Sequence, residues 1–351
     1  MQEKRGQGCS MKGFIFALLF AALILALCGV NQQPAGFAEG QFLANGPLPP
    51  IPVPPDNPMT GAKIRLGQAL YFDKRLSSDN TVSCATCHRP DAGWADVTPV
   101  SEGVAHQKGT RNSPSVMNAG YSIPQFWDGR AVWLEKQAVG PVQNPIEMDL
   151  TMEELLSRLN SIPGYVKMFE EAFGTKPTEE GVARAIASFE RTIVSGDSPF
   201  DRYMKGDKKA MSPAAIRGMM IFNGKGHCTP CHSGPAFSDY RFHNLGVGYK
   251  DGKFADVGRY AVTNDPKDMG AFRTPILRNV ALTPPYLHDG SEPTLESVIE
   301  LYNKGGIPNP NLDPAMMPLH LTKREKADLV EFLKALTGEL PKVGPPEKLP
   351  E

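Results

Sequence analysis

The chain has 351 residues, a formal net charge of −1 at pH 7, 41% hydrophobic and 21% charged side chains. That length supports two domains with a core each, and the even charge balance excludes a strongly basic nucleic-acid binder or an acidic tail protein. Glycine (34) and proline (33) are both abundant without a Gly-X-Y period, which points to a globular protein whose loops carry function.

In chain order, Lys4, Arg5 and Lys12 precede an apolar run from Gly13 to Val30. A basic stretch followed by an apolar one is an export signal, so residues 1–30 are read as signal or anchor. Cys28 closes Leu25-Ala26-Leu27-Cys28-Gly29, which looks like a lipoprotein cleavage box, although Leu27 stands where a small residue is preferred. Cleavage after Ala38 and an uncleaved membrane span of about 18 residues are the other two readings. All three place the folded part in the periplasm or on the outer face of the membrane, and two of them anchor it there through the N-terminus. Residues 31–58, with Pro47, Pro49, Pro50, Pro52, Pro54, Pro55 and Pro58, read as an extended proline-rich linker.

Apolar spacing predicts helices over Lys63–Phe72, Ala131–Ala138, Thr151–Leu159, Gly164–Phe173 and Thr178–Val194. Thr151-Met152-Glu153-Glu154 is a capping box. Ser198–Lys209 reads as an inter-domain hinge. A second unit follows, with helices predicted from Ser212-Pro213 to Phe222, over Thr294–Lys304 (stopped by Gly305-Gly306) and over Thr322–Leu336 (stopped by Gly338). Residues 73–130 and 233–293 are loop-rich, and almost no long strand is expected.

Six cysteines are present. Cys9 and Cys28 lie in the export segment. The others form two pairs, each followed at once by histidine: Cys84-Ala85-Thr86-Cys87-His88 and Cys228-Thr229-Pro230-Cys231-His232. This is the c-type haem attachment pattern. Two thiols three positions apart share one helical turn and add to both haem vinyl groups, and the next residue puts an imidazole under the iron. Disulfides, redox dithiols and zinc half-sites all leave the two histidines unexplained. Two covalently bound haem c groups are expected. A helix, a short loop and CxxCH occur in that order twice, which reads as an internal duplication. The expected fold is mostly α, with two cytochrome c-like haem domains and long loops: 59–205 around the first haem, 206–340 around the second, and a tail over 341–351. A bare electron carrier needs less chain, so an enzyme in which one haem reacts and the other handles electrons fits best.

Further segments carry a resemblance: Arg111-Asn112-Ser113-Pro114, Gln125-Phe126-Trp127-Asp128-Gly129-Arg130, Gly140-Pro141-Val142-Gln143-Asn144-Pro145-Ile146-Glu147-Met148, Thr274-Pro275-Ile276-Leu277-Arg278-Asn279 and Pro285-Tyr286-Leu287-His288-Asp289-Gly290. With the two haem motifs, the chain resembles the bacterial di-haem cytochrome c peroxidases and their MauG-like relatives over nearly all of residues 60–338. The resemblance implies that the His88 haem reacts with hydrogen peroxide and the His232 haem stores and passes electrons. It implies Glu147 as the distal base that moves the peroxide proton, Gln137 as a second distal residue, Pro141 as a shield of the open iron face and Trp127 as an electron relay. It further implies a calcium ion held by Asn112, Thr283 and Pro285. The implied partners are hydrogen peroxide and a small electron donor, a cytochrome c or a cupredoxin, and homodimers are common in the family. The alternative activity is that of a MauG-like maturase, which oxidises residues of a partner protein through high-valent di-haem iron; a non-catalytic carrier is the third.

The chain departs from the better-known branch at the second haem. Where ordinary peroxidases have methionine, the matching residue is Tyr302, as in MauG-like proteins. Leu295, Val298, Ile299 and Tyr302 share one helical face, so Tyr302 points inward. A phenolate is a hard, anionic donor suited to oxidised iron; Met269, Met316 and Met317 are the alternatives. In the methionine branch a loop histidine blocks the first haem at rest; His106 is the candidate here, and otherwise reads as a surface-loop residue. Tyrosine-type relatives keep that haem open, which implies that the diferric protein reacts with peroxide directly. Trp94 and Trp133 are read as packing, His288 as loop-fixing, and His227, His243 and His320 as bystanders.

Overall fold

The computed structural model describes residues 45–351. The export and anchoring readings, Cys9 and Cys28 included, and residues 31–44 of the linker lie outside the described residues.

The described chain is mostly helical with little sheet. The helices are α1 (Gly61–Phe72), α2 (Cys84–Cys87), α3 (Leu134–Ala138), α4 (Gly140–Gln143), α5 (Met152–Asn160), α6 (Pro163–Phe173), α7 (Glu179–Glu190), α8 (Pro199–Met204), α9 (Pro213–Asn223), α10 (Tyr260–Thr263), α11 (Leu295–Lys304) and α12 (Lys323–Ala335). Hydroxyl caps start most of the longer ones: Thr60, Thr151, Thr178, Ser212, Thr294 and Thr322 each accept a bond from the N–H three residues on. The capping box at Thr151 and Glu154 forms as expected. The strands are two residues each: β1 (Phe242–His243) pairs antiparallel with β4 (Phe272–Arg273), and β2 (Tyr249–Lys250) with β3 (Lys253–Phe254).

Two apolar clusters form separate cores. One gathers Leu66, Leu70, Leu155, Tyr165, Ile186 and Phe189; the other gathers Phe200, Phe222, Phe237, Leu329, Phe332 and Leu336. The same helix crossing organises both. α1 lies on α7 so closely that a Cβ at Gly67 would stand 1.9 Å from the Ala185 carbonyl oxygen and 2.8 Å from Phe189 Cβ. α9 lies on α12 so that a Cβ at Gly218 would stand 1.9 Å from the Asp328 oxygen and 2.8 Å from Phe332 Cβ. In both crossings the two contacts are four residues apart on the partner helix. The repeat seen in the attachment motifs therefore extends to the packing around them.

Three sequence expectations need correction. The stretch read as a hinge, Ser198–Lys209, opens with a capped helix, Pro199–Met204: Ser198 accepts from the Asp201 N–H and Pro199 opens the first turn. Phe200 is buried in the second core, and Asp201 meets Arg278 at 2.8 Å. The helix expected from Ala131 starts only at Leu134, because Ala131 accepts a main-chain bond from Gln125 instead. The helix expected to reach Val194 stops at Glu190, ahead of the β-branched run Thr192-Ile193-Val194, where the Ile193 carbonyl accepts from Asn118.

The described part of the proline-rich stretch is fastened to the body. Tyr121 donates to the Pro49 carbonyl at 2.6 Å, and Asn57 donates to Glu135 and to the Arg184 carbonyl. At the other end, Gln68 donates to the Gly344 carbonyl at 2.8 Å and the Gly164 N–H donates to that of Glu351. Gly67→Ala and Gly218→Ala, each forcing a methyl into a backbone, should each cost about 2 kcal/mol of stability. Gly196→Ala, with nothing within 4 Å of its Cβ, should stay within about 0.5 kcal/mol; melting curves of the three variants check this.

Candidate haem-binding site

A cavity of about 1210 Å³ is lined by Cys84, Cys87 and His88 and equally by Cys228, Cys231 and His232. It exceeds the roughly 300–1,000 Å³ of an ordinary small-molecule pocket. The first motif is helix α2, closed by the His88 N–H bonding to the Cys84 carbonyl at 3.0 Å. The second is a single turn, in which the N–H groups of Cys231 and His232 reach the Cys228 carbonyl at 3.3 and 2.8 Å. Both pairs thus present their sulfurs from one turn. None of the four is in a disulfide. Burial pushes the Cys87 thiol up to about 11 and the Cys228 thiol up to about 12, the opposite of a reactive redox dithiol. Among the described residues no group of three or more His, Cys, Asp or Glu is placed to hold a metal ion, so a zinc site of that kind does not form.

The two histidines are prepared alike. His88 Nδ1 lies 2.9 Å from the Pro114 carbonyl oxygen, and His232 Nδ1 lies 2.9 Å from that of Phe237. A carbonyl only accepts, so each Nδ1 carries the proton and donates it, leaving Nε2 with a free lone pair for a metal. Burial lowers both imidazoles, which keeps them neutral. The residues present fit two haem groups attached by thioethers and held by histidine.

The other candidates converge on the same cavity: Glu147, Gln137, Pro141, Trp127 and Tyr302 all line it. Glu147 accepts from Asn144 Nδ2 at 2.6 Å, and burial pushes its carboxyl up against the opposing pull of that bond and of Arg130. The loop at Gly103 closes over it; the Val104 N–H donates to the Glu147 carbonyl at 2.9 Å, and a Cβ at Gly103 would stand 2.2 Å from the Ile146 oxygen. Trp127 is clamped twice, its indole N–H donating to the Asn112 carbonyl and its own carbonyl accepting from the Arg273 N–H, both at 2.8 Å. Tyr302 projects from α11 into the field of Cys228 and Cys231, and burial pushes its phenol further up. Leu295, Val298 and Ile299 line the wall with it, as their shared face predicted; Met316 and Met317 also line the cavity. Asn112 spends its amide N–H on the Thr98 carbonyl. Asn112, Thr283 and Pro285 line the cavity, and an amide oxygen with main-chain carbonyls is the kind of donor set that suits a hard cation.

Comparison with known proteins decides the family. Residues 61–209 match the family described as di-haem cytochrome c peroxidase. A cytochrome-c peroxidase of Denitromonas iodatirespirans is 38% identical over 96% of this chain and 97% of its own. The methylamine utilization protein MauG of Methylorubrum extorquens is 41% identical over 82% of each chain. The crystal structure of a MauG-like protein associated with microbial copper homeostasis has a TM-score of 0.78 and 36% identity, covering 83% of this chain and 94% of that one. The chain belongs to the di-haem cytochrome c peroxidase family. The haem chemistry anticipated from CxxCH is that of the family.

The remaining histidines and tryptophans are placed as follows. His106 is 92% exposed on its side chain, beside Glu102, and does not line the cavity. Trp94 packs in the first core as expected, but Trp133 is 48% exposed; it caps α3 from outside while Leu134 turns in. His243 is held by two carboxylates. Burial alone would lower its pKa, yet bonds to Asp239, the Cys231 sulfur and Asp313 hold it up to about 11. His288 stacks on Phe272 with ring centroids 3.5 Å apart, and burial brings it down to about 4.

Sequence reasoning missed Glu190, the last residue of α7. It is 5% exposed, lines the cavity, and has one oxygen without a partner. Burial pushes its carboxyl up to about 8. The signal was available, since Val182, Ile186 and Glu190 fall on one helical face. A carboxyl raised in the fold from 4.5 to about 8 is protonated there; its contribution to stability is full below pH 4.5 and is lost as pH rises through 8. Glu190→Gln should therefore melt above the unaltered protein at pH 9 and close to it at pH 5, as paired melting curves would measure.

Proposed function

We propose that the protein is an exported peroxidase that reduces hydrogen peroxide to water with electrons from a small redox protein, a cytochrome c or a cupredoxin. The observation that carries this reading is Glu147, a half-buried carboxyl of raised basicity held by Asn144 in the cavity that His88 lines. One haem c is assigned to each half of the chain, on Cys84 and Cys87 and on Cys228 and Cys231. When bound, these groups supply the iron and the electrons for cleaving the O–O bond.

The protein's own residues do the rest. His88 and His232 offer Nε2 to the irons, and Tyr302 offers its phenol oxygen to the second. Glu147 takes the proton from the attacked peroxide oxygen and returns it to the leaving one. Two electrons and two further protons complete the balance to two waters. Gln137, whose carboxamide holds no hydrogen bond among the described residues, orients the peroxide, and Pro141 covers the space beside it. Trp127, fixed at both its indole and its carbonyl, relays electrons between the halves. Asn112, Thr283 and Pro285 would hold a calcium ion, and Trp127 would be steadied by it through the Asn112 carbonyl that accepts from its indole. The exposure of His106 supports a first haem open at rest. Release into the periplasm or anchoring through the N-terminus, and pairing into a homodimer, belong to the same reading. It is preferred to maturation of a partner protein, the reading that Tyr302 and the likeness to MauG would also suit, because the cavity and Glu147 account for peroxide reduction without a protein substrate.

Stopped-flow mixing of the diferric protein with stoichiometric peroxide, without pre-reduction, should change the haem bands at once, reversibly on adding donor. Silence until one electron is supplied would overturn the open first haem and point to His106. Glu147→Gln should slow the peroxide step by about 10²–10⁴-fold with haem content unchanged. In the unaltered protein the rate should fall as pH drops through the raised Glu147 pKa, because the base is lost on protonation, and that limb should vanish in the variant. A variant as fast as the parent would remove Glu147 from the mechanism.

A further inference from the structure

Among the described residues the other buried acids are all answered by donors. Asp73 accepts from Arg75 and Tyr165, Asp128 from Arg111 and Arg130, Asp201 from Arg278, and Asp328 from Arg217. Asp96 accepts from the Val97 and Thr98 N–H groups and from the Ser101 hydroxyl. Glu190 is the exception. It is 5% exposed and lines the cavity, and its Oε2 is fully enclosed without a partner. Even Arg273, a buried cation of the same cavity wall, donates to two main-chain oxygens. An acid left in this state responds to whatever charge arrives beside it.

The fold pins the carboxyl in place. Its neighbour Phe189 packs against Tyr71 and Trp94, with ring centroids 5.1 and 6.3 Å apart, and the Ile193 N–H closes on the Glu190 carbonyl at 3.0 Å. The groups that face it come from four elements. α1 brings the Tyr71 phenol, which burial pushes well up and keeps neutral. α2 brings Cys84, on which Glu190 acts more strongly than Cys87 or Glu147 does. α3 brings Glu135, and the end of α7 brings Arg191, whose guanidinium forks onto Glu135 at 2.6 and 3.0 Å. Arg191 and Glu135 pull Glu190 in opposite directions, so burial decides and keeps it an acid up to about pH 8. The carboxyl thus sits beside the first attachment motif. It is absent from the charges that act on Cys228 and Tyr302 at the second.

We propose that Glu190 is the proton store of the first haem: its carboxylate takes one proton from solvent when that haem accepts an electron, and returns it when the electron leaves. This rests on the haem reading above and adds the place where the charge of reduction is compensated. The electron comes from the external donor, one O–H bond forms on Glu190, and no other bond changes. A carboxylate with no hydrogen bond and an added electron on one buried wall repel each other, and neutralising the carboxylate relieves both. Reduction therefore raises the affinity of Glu190 for its proton, and by linkage protonation favours the reduced haem. Glu147, held by Asn144, keeps its separate task with the peroxide proton.

Spectroelectrochemical titration of the full protein between pH 5 and pH 9 tests it, with haem content measured on each sample. Two haems per chain in the unaltered protein check the haem reading independently. The midpoint of the first haem should fall as pH rises, by about tenfold in its reduction equilibrium over that range, about 59 mV for one electron. Glu190→Gln, neutral at every pH, should keep both haems, match the parent at pH 5 and lose the slope. Redox-difference infrared spectra should show the carbonyl band of a carboxylic acid gained on reduction. That band should persist in Glu147→Gln and vanish in Glu190→Gln. Glu190→Asp should keep the slope and move the band, and carries the test if the glutamine variant does not fold. A slope or band that survives in Glu190→Gln, a band unmoved in Glu190→Asp, or a slope confined to the second haem would overturn the proposal.

Discussion

Two hydrogen bonds of 2.9 Å, from His88 Nδ1 to Pro114 and from His232 Nδ1 to Phe237, are the constraint on which the cavity depends. Each fixes a tautomer and the plane of a ring, and each turns the remaining nitrogen toward the cavity as a bare donor. Neither partner carbonyl is local to the two-cysteine turn in the same way: one lies 26 residues on, the other five. The loops around the motifs are therefore held to positions that leave those oxygens in reach. The Ser113–Met117 stretch and the Gly234–Ser238 turn are structural parts of the site.

A second regularity is the treatment of buried charge. Asp201 answers Arg278, Asp128 and Asp256 answer Arg111, and Glu135 answers Arg191. Buried ions are tolerated where geometry and extra hydrogen bonds offset desolvation. Against that rule Arg273 and Glu190 stand out, one a cation without an anion and the other an acid kept neutral by burial. Both line the cavity, where a bound group changes the surroundings of any side chain.

The duplication links fold to site. Each half brings a helix ahead of its CxxCH motif onto a later helix at a glycine, Gly67 on Ala185 and Gly218 on Asp328. The contact is backbone to backbone and leaves no room for a methyl. Around this shared frame the halves diverge. The first adds the segment from Trp127 to Glu147, with its acid, amide and indole. The second adds α11 with Tyr302 and the short β1–β4 pair with Arg273.

The sequence by itself determined the chemistry that is local in the chain. The CxxCH spacing is read on one turn, the α11 face on one helix, and the Thr151 cap within four residues, so neighbours along the chain suffice. Tertiary structure alone decided what distant segments do to one another. That the Pro199–Met204 helix closes onto Arg278 and that His243 is held by Asp313 as well as by nearby Asp239 depend on partners 77 and 70 residues away, and that Trp133 faces solvent and that Arg273 is left without a carboxylate among the described residues depend on the packing around them. Burial and counter-charge are properties of the packed neighbourhood, and a local pattern does not contain them.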